Sequence, residues 1–238
     1  MKTIIARDYN EMSKKAAEIV IKGIKENPNI VLGLATGSTP VGLYKLLIEA
    51  YEDGLDFSNV TTFNLDEYIG LEEGHDQRYD YFMNEQLFKH INIKKENVNF
   101  PKVDENGNIV DGDYERRIAE KGGIDIQILG IGNNGHIAFN EPADELNVNT
   151  SIVKLTDSTI EANSRFFEKK EDVPKTAVTS GIGTIMGAKK ILVLANGENK
   201  RPAVQYLLKE NKFTTQWPVS VVKLHGDVTL IVDELCGR

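Results

Sequence analysis

The sequence is poor in the residues that build disulfides and metal centres. It contains one cysteine, Cys236, among 238 residues, so it cannot form an intrachain disulfide framework or a cysteine-rich metal site. The four histidines are scattered and show no metal-binding spacing such as His-X-X-X-His. We therefore expect a cytoplasmic protein that binds no metal ion.

Long apolar runs and an excess of basic residues are also missing. The N-terminus reads MKTIIARDYN, in which charge follows a short apolar run, so we expect no secretory leader. The glycine-rich stretch 126–140 carries no Asp, Glu, Lys or Arg, but it is too short and too polar to span a bilayer. A formal net charge of −8 argues against a nucleic-acid partner. A small anion is not excluded, because a few local cations are enough to bind it.

Apolar runs typical of buried strands alternate with segments of helical periodicity along the chain. The clearest helix is predicted at about 9–26, with Asp8 as N-cap, Glu11 completing a capping box and Pro28 after its end. This alternation predicts one doubly wound α/β domain over 1–238, with a mostly parallel sheet, helices on both faces and a Rossmann-like topology. The other predicted helices are 78–90, 111–121, 157–167 and 202–208, and the predicted strands are 3–6, 30–35, 60–64, 126–131, 153–155, 176–179, 191–195 and 228–232.

Residues 125–142, DIQILGIGNNGHIAFNEP, combine a buried strand with a dense group of glycine and polar residues. Ligands of open α/β sheets bind outside the carboxyl ends of the strands, where this polar group is expected. Asn134, His136 and Glu141 are therefore candidate functional residues. The alternative is an ordinary polar loop in which His136 is packed and hydrogen-bonded.

A second candidate site follows the strand Ile30–Ala35, where the sequence reads Thr-Gly-Ser-Thr-Pro. Pro40 suits the first position of a helix. A glycine-containing turn at a helix N-terminus presents free N–H groups and a positive dipole end to an anion. Gly37, Ser38 and Thr39 thus predict an anion site, although a simple capped turn remains the alternative.

Other strand ends add charged groups to the same predicted edge of the sheet. Asp66 follows the strand 60–64, Lys200 follows the strand 191–195, and Arg165 lies on the helix 157–167. Taken alone, Asp66 could equally be a helix cap or a solvated acidic residue. A phosphate anchor with a carboxylate and a histidine indicates cofactor-free proton transfer on a sugar phosphate.

The sequence resembles the glucosamine-6-phosphate deaminase family over essentially its whole length. Four segments carry the resemblance, in the order and at the spacing of the family: GLATGSTP at 33–40, TFNLDEY at 62–68, GIGNNGHIAFNEP at 130–142 and NSRFF at 163–167. The resemblance implies conversion of glucosamine 6-phosphate and water to fructose 6-phosphate and ammonia. It also implies that no cofactor is used and that the reaction belongs to cytoplasmic amino-sugar catabolism.

Residue roles follow from the same resemblance. His136 would open the sugar ring, Glu141 would orient and charge-tune its imidazole, and Asp66 would move the proton from C2 to C1. The residues that match the phosphate site are Gly37, Ser38, Thr39, Arg165 and Lys200. Many deaminases have aspartate where this chain has Asn134. An amide can orient a histidine but cannot stabilise an imidazolium by charge, which leaves Glu141 as the main carboxylate partner.

Two other functions fit parts of the pattern. The 6-phosphogluconolactonases share this fold and a similar Gly-His segment, but they generally continue with Thr and Ala after the histidine and need no base at Asp66. A sugar-phosphate-sensing domain of a transcription regulator should carry a helix-turn-helix and basic charge, whereas this chain has a net charge of −8.

The resemblance also bears on regulation. Some deaminases bind N-acetylglucosamine 6-phosphate at a subunit interface through basic residues after the Asn-Glu-Pro segment. This chain has Ser151 and Val153 where those enzymes have Arg and Lys, and Asp144 and Glu145 add repulsion. A phosphate dianion requires positive charge, and Lys154 should point away from the face of Val153. We therefore expect no effector site and a monomer or small homo-oligomer.

Overall fold

The computed structural model describes residues 1–104, 107–110, 113–165 and 167–238. Its centre is a seven-stranded sheet in the order β1-β10-β9-β6-β2-β3-β5, in which every neighbouring pair is parallel. The strands of this sheet are β1 (Lys2–Ala6), β2 (Val31–Leu34), β3 (Thr61–Asn64), β5 (Val98–Asn99), β6 (Ile126–Gly130), β9 (Lys190–Ala195) and β10 (Val228–Asp233).

Helices cover both faces of this sheet, as the doubly wound prediction requires. One face packs against α1 and α2, which bury Met12, Val20 and Leu47, and the other packs against α4 and α7, which bury Ile118 and Leu207. The α-helices are α1 (Tyr9–Glu26), α2 (Val41–Glu52), α3 (Tyr79–Gln86), α4 (Asp113–Glu120), α5 (Asp157–Ser164), α6 (Ile182–Met186), α7 (Arg201–Lys209) and α8 (Glu234–Gly237). Short 3₁₀ helices span Phe88–His90, Lys95–Asn97, Lys170–Asp172, Glu198–Lys200 and Pro218–Leu224.

The strand order reverses between β2 and β6. After β2 the chain builds outward through β3 and β5, and after β6 it builds in the opposite direction through β9 and β10. β2 and β6 are direct neighbours, with Gly33 opposite Gln127. A crevice opens at the carboxyl ends of strands at such a switch point, and ligands of this fold class bind there. The Gly-Ser-Thr turn follows β2 and the Gly-Asn-Asn-Gly-His segment follows β6.

A second, antiparallel sheet was not predicted. β4 (Asp66–Tyr68), β8 (Thr176–Thr179) and β7 (Ser151–Lys154) form it in that order. A single residue, Leu65, separates the end of β3 from the start of β4. Asp66 lies opposite Thr179. The sequence expectation treated Asp66 as the start of a loop and gave 176–179 no partner. A three-residue strand is too short to produce a recognisable periodicity, which explains the omission.

The predicted α1 is confirmed at both ends, and its cap differs in one detail. The Asp8 carboxylate accepts the N–H of Glu11 at 2.8 Å, as expected of an N-cap. The Glu11 carboxylate, however, accepts the N–H of Arg7 at 2.9 Å, so the second half of the capping box reaches the residue before the cap. Pro40 occupies the N-cap of α2, one position before the predicted N1.

The remaining predicted elements fall close to the observed ones. The strand predicted at 153–155 is observed at Ser151–Lys154, and the helix predicted at 157–167 ends at Ser164. Residue 166 of the NSRFF motif and residues 111 and 112, where the helix before β6 was predicted to begin, lie outside the described residues. Among the residues that are described, we find no helix with the length and hydrophobicity needed to cross a membrane.

Candidate active site

The turn after β2 presents backbone N–H groups at the switch point. Gly37 adopts a φ of 95°, which glycine tolerates best, and Ser38 is exposed. Within the described chain, no acceptor contacts the backbone N–H groups of Gly37, Ser38 or Thr39. The Thr39 hydroxyl is not free, because it donates to Asn196 Oδ1 at 2.8 Å. The turn therefore offers mainly backbone donors, and Thr39 ties it to the loop after β9.

Two cations, Lys200 and Arg165, lie close enough to influence each other. Lys200 follows the β9 loop that Thr39 contacts, and its ammonium makes no hydrogen bond or ion pair with the described residues. Burial, followed by the nearby Arg165 guanidinium, holds the pKa of Lys200 below its ordinary value. Arg165 is the C-cap of α5. Lys200 is half-buried and Arg165 is exposed. Two positive charges that lie near each other and repel are typical of a site that binds an anion.

The loop after β6 folds back so that the His136 imidazole covers Gly132. The N–H of Gly132 donates to the carbonyl of His136 at 2.9 Å, and the N–H of Gly135 donates to that of Gly132 at 3.0 Å. A Cβ on residue 132 would lie 2.3 Å from the His136 ring. Any residue larger than glycine at this position would displace the imidazole.

A tight turn after His136 carries the chain to Glu141. Ala138 adopts a φ of 52°, the left-handed region that costs an L-residue roughly 1–2 kcal/mol. The Asn140 amide stabilises the turn by donating to the carbonyls of Ile137 at 3.0 Å and Ser180 at 2.8 Å. This contact gives the asparagine of the Asn-Glu-Pro motif a structural role that the sequence did not reveal.

Glu141 is a buried carboxylate surrounded by donors. Its Oε2 accepts the Asn134 amide at 2.7 Å and lies 3.3 Å from His136 Nδ1, while its Oε1 accepts the Thr159 hydroxyl. The His136 contact is poorly aligned, so Nδ1 makes a charge contact but no hydrogen bond. Burial raises the pKa of Glu141, but His136, Thr159 and Asn134 together outweigh it and lower the pKa to about 2. Glu141 is therefore ionised at neutral pH.

The contacts of Asn134 show the role of an amide at this position. Its Nδ2 donates to Glu141, and its Oδ1 accepts the backbone N–H of His136 at 3.2 Å. Asn134 thus bridges the carboxylate and the backbone of the histidine. An ionised aspartate could not donate to Glu141 and would add a like charge 2.7 Å away.

The environment of Asp66 contrasts with that of Glu141. Its side chain is 6% exposed and receives no hydrogen bond from the described residues. Burial first, and the neighbouring Glu67 second, raise the pKa of Asp66 to about 8. Glu67 itself caps α3, because its carboxylate accepts the N–H groups of Tyr79 at 2.9 Å and Asp80 at 3.0 Å. Glu67 therefore has a structural role, whereas Asp66 has no hydrogen-bond donor among the described residues.

The second sheet brings Asp66 to the His136 segment. Asp66 pairs across the sheet with Thr179, whose hydroxyl accepts the N–H of Phe139 at 3.1 Å. The ring of Tyr68 lies 5.9 Å from that of Phe139. Asp66 and the His136 segment, which the sequence placed at the same edge of one parallel sheet, are thus joined by contacts through a second sheet.

Sequence reasoning missed two polar residues of this region, Thr159 and Asn163. Thr159 donates to Glu141, and Asn163 Nδ2 donates to the Tyr68 hydroxyl at 2.8 Å. Both lie on α5; Thr159 belongs to no motif, and Asn163 was noted only as part of the NSRFF segment. Across the described ranges, no group of three or more His, Cys, Asp or Glu side chains has an arrangement suited to a metal ion.

Comparison with known proteins agrees with this geometry. The family model "Glucosamine-6-phosphate isomerases/6-phosphogluconolactonase" matches residues 7–231. The chain belongs to this family. A glucosamine-6-phosphate deaminase of Thermoanaerobacter sp. (strain X514) is 57% identical to it over 240 residues, covering 98% of this chain and 93% of the relative.

Solved structures of the family share the fold. A monomeric glucosamine-6-phosphate deaminase superposes with a TM-score of 0.93 at 41% identity, covering 100% of both chains. A 6-phosphogluconolactonase from Leishmania guyanensis superposes with a TM-score of 0.74 at 24% identity, covering 100% of this chain and 97% of the other. The second comparison supports the fold alone. The doubly wound α/β prediction and the resemblance to the deaminases are both confirmed.

The environment of Asp66 predicts a pH-dependent effect on stability. The pKa of Asp66 is about 8 in the folded chain and near 3.8 when the side chain is solvated. Between these pH values, Asp66 is therefore ionised in the unfolded chain but protonated in the folded chain. Wild-type stability should therefore fall relative to Asp66→Asn as the pH rises towards 8, by up to about 1.4 kcal/mol per pH unit, and then level off. Urea unfolding of both proteins at pH 5.5 to 9 measures the difference, in which other groups cancel. A difference that stays constant with pH would contradict this environment.

Proposed function

We propose that this chain is a glucosamine-6-phosphate deaminase, which converts glucosamine 6-phosphate and water to fructose 6-phosphate and ammonia. The observation that carries the proposal is a buried aspartate that receives no hydrogen bond from the described residues and is linked through Thr179 and Phe139 to the segment of the Glu141–His136 pair. Two neighbouring cations, Arg165 and Lys200, accompany them. Family membership and the deaminases among its relatives support the same reaction.

The His136–Glu141 pair is suited to opening the sugar ring. In the proposed step, His136 accepts the proton of the anomeric hydroxyl and delivers a proton to the ring oxygen as the C1–O5 bond breaks. The ionised Glu141 stabilises the imidazolium that forms in between, and Asn134 keeps both partners in place. Apo contacts of this kind are often poorly aligned and tighten around substrate.

Asp66 is suited to the following proton transfer. It removes the proton from C2 of the open-chain sugar and returns one to C1 through an enol-amine. The resulting C2 imine takes up water and releases ammonia. The ionised form of Asp66 is needed, whereas burial raises its pKa to about 8 in the free protein. The substrate's 2-ammonium group would favour that ionised form on binding, because an opposite charge nearby lowers a carboxyl pKa.

The anion site would hold the phosphate. An open-chain hexose has many conformers, and binding one end places its reacting carbons in a defined geometry relative to the bases. Arg165 and Lys200 supply the charge, and the turn at Gly37, Ser38 and Thr39 supplies backbone donors. In this proposal the partner is a small sugar phosphate, used in the cytoplasm by amino-sugar degradation.

The alternative, 6-phosphogluconolactonase, is less consistent with the site. Hydrolysis of a lactone requires no base for a carbon-bound proton, so it gives Asp66 no role. The direct test incubates the protein with each substrate and measures ammonia with fructose 6-phosphate, or acid release from the lactone.

Asp66→Asn should retain phosphate binding and lose turnover, because a neutral amide cannot accept the C2 proton. The measurement is ammonia release together with solvent isotope exchange at C2. Wild-type exchange in the variant would exclude Asp66 as the base, and deaminase activity absent from the wild type would exclude the proposed function.

Lys200→Ala should raise KM about 10- to 100-fold with little change in kcat. A charge-assisted contact to phosphate is worth on the order of 1.5–3 kcal/mol, and a contact far from the reacting carbons contributes equally before and during the reaction. Lys209→Ala removes an exposed lysine at the end of α7 and serves as the matched control. An unchanged KM would show that Lys200 does not bind the phosphate.

Saturation with glucosamine 6-phosphate should be hyperbolic, with or without N-acetylglucosamine 6-phosphate. In β7 the half-buried Ser151 and Val153 alternate with the exposed Ile152 and Lys154, so Lys154 lies on the opposite face from Val153. That arrangement provides no basic cluster on one face of the strand. A sigmoidal curve that the acetylated sugar makes hyperbolic would contradict this expectation.

A further inference from the structure

Helix α5 contacts three separate parts of the candidate site. Near its N-terminus, the buried Thr159 donates to Glu141 Oε1. One turn later, Asn163 donates to the Tyr68 hydroxyl at 2.8 Å, on the same short strand as Asp66. At its C-cap, Arg165 faces the Lys200 ammonium. One short helix therefore contacts the proton-transfer pair and the strand of the aspartate, and it ends at a cation of the proposed anion site.

The hydroxyl of Thr159 is held in a defined orientation. The Thr156 hydroxyl caps α5 by accepting the N–H of Thr159 at 3.3 Å, and it donates to Thr159 Oγ1 at 3.2 Å. With its lone pair engaged in this way, the Thr159 hydroxyl directs its own proton to Glu141. The orientation of this donor therefore depends on the first turn of α5 being formed.

Apolar packing contributes little to the position of α5. In the described structure, Ile160 is the only residue of the helix that packs into the cluster of Tyr68, Phe139 and Leu155. An eight-residue helix is not stable on its own, so its polar anchors to the site help to determine its position.

We propose that Thr159 is a positioning residue which couples anion binding at Arg165 to the placement of Glu141 against His136. An anion bound by Arg165 stabilises α5, and the stabilised helix places the Thr159 hydroxyl on Glu141. Such coupling is reciprocal. If a bound anion strengthens the hydrogen bond between Thr159 and Glu141 by a given factor, then loss of that hydrogen bond weakens anion binding by the same factor. The catalytic consequence rests on the proposed deaminase function, whereas the coupling itself does not.

The test compares Thr159→Val, which removes the hydroxyl and keeps the shape, with Thr159→Ser, which keeps the hydroxyl. Inorganic phosphate binding is measured by calorimetry on the wild type and both variants, and thermal unfolding verifies folding. We expect Thr159→Val to weaken phosphate binding several-fold and to lower kcat about 10- to 100-fold, the range typical of a hydrogen bond to a charged group. Thr159→Ser should remain close to wild type in both measurements.

Each outcome has a definite meaning. Wild-type phosphate affinity and kcat in Thr159→Val would overturn the inference. Equal losses in both variants would also overturn it, because the hydroxyl retained in Thr159→Ser would then fail to preserve the coupling. If Thr159→Val does not fold, Thr159→Ala replaces it with the same expectation. A wild-type protein without deaminase activity would refute the proposed function, and the calorimetric comparison would still decide the coupling.

Discussion

The supply of hydrogen-bond donors to buried carboxylates determines the chemistry of this site. Glu141 receives donors from Asn134 and Thr159 and lies beside His136, so it stays charged despite burial. Asp66 is more deeply buried and receives none from the described residues, so burial favours its neutral form. Pairs of acids whose environments move their pKa values apart are typical of acid–base sites. Here Glu141 can stabilise a protonated His136, while Asp66 can take up and release a proton.

The strand order explains why these groups meet. β2 and β6 flank the point where the sheet reverses direction, and each ends in a glycine-containing turn. Ligands of open α/β sheets bind in the crevice at such a switch point. The second sheet then returns Asp66 to this crevice through Thr179 and Phe139. The candidate anion site and the His136–Glu141 pair both follow strands of the parallel sheet, whereas Asp66 lies in the antiparallel sheet. Helix α5 contacts Glu141 and, on the strand of Asp66, Tyr68.

Local patterns predicted the parallel sheet, its helices and the motifs at the strand ends, because burial periodicity and capping depend on neighbouring residues. The antiparallel sheet was missed, since β4 has three residues and pairs with a strand more than 100 positions later. The Thr159 donor to Glu141 was missed for the same reason, because Thr159 has no motif of its own and its importance comes from the fold. Glu67 was likewise indistinguishable from Asp66 in sequence, although it caps α3.

The asparagine at position 134 changes how the carboxylate of Glu141 is supported. Where the family pattern has aspartate, the site could share negative charge between two acids. In this chain an amide donor replaces that second charge, so Glu141 alone balances a proton on His136. The Asn134 amide and His136 both contact Oε2, which leaves Oε1 to Thr159. Since Asn134 belongs to the rigid β6 turn, the Thr159 contact is the one that movement of α5 can change, and with it the geometry of the ion pair.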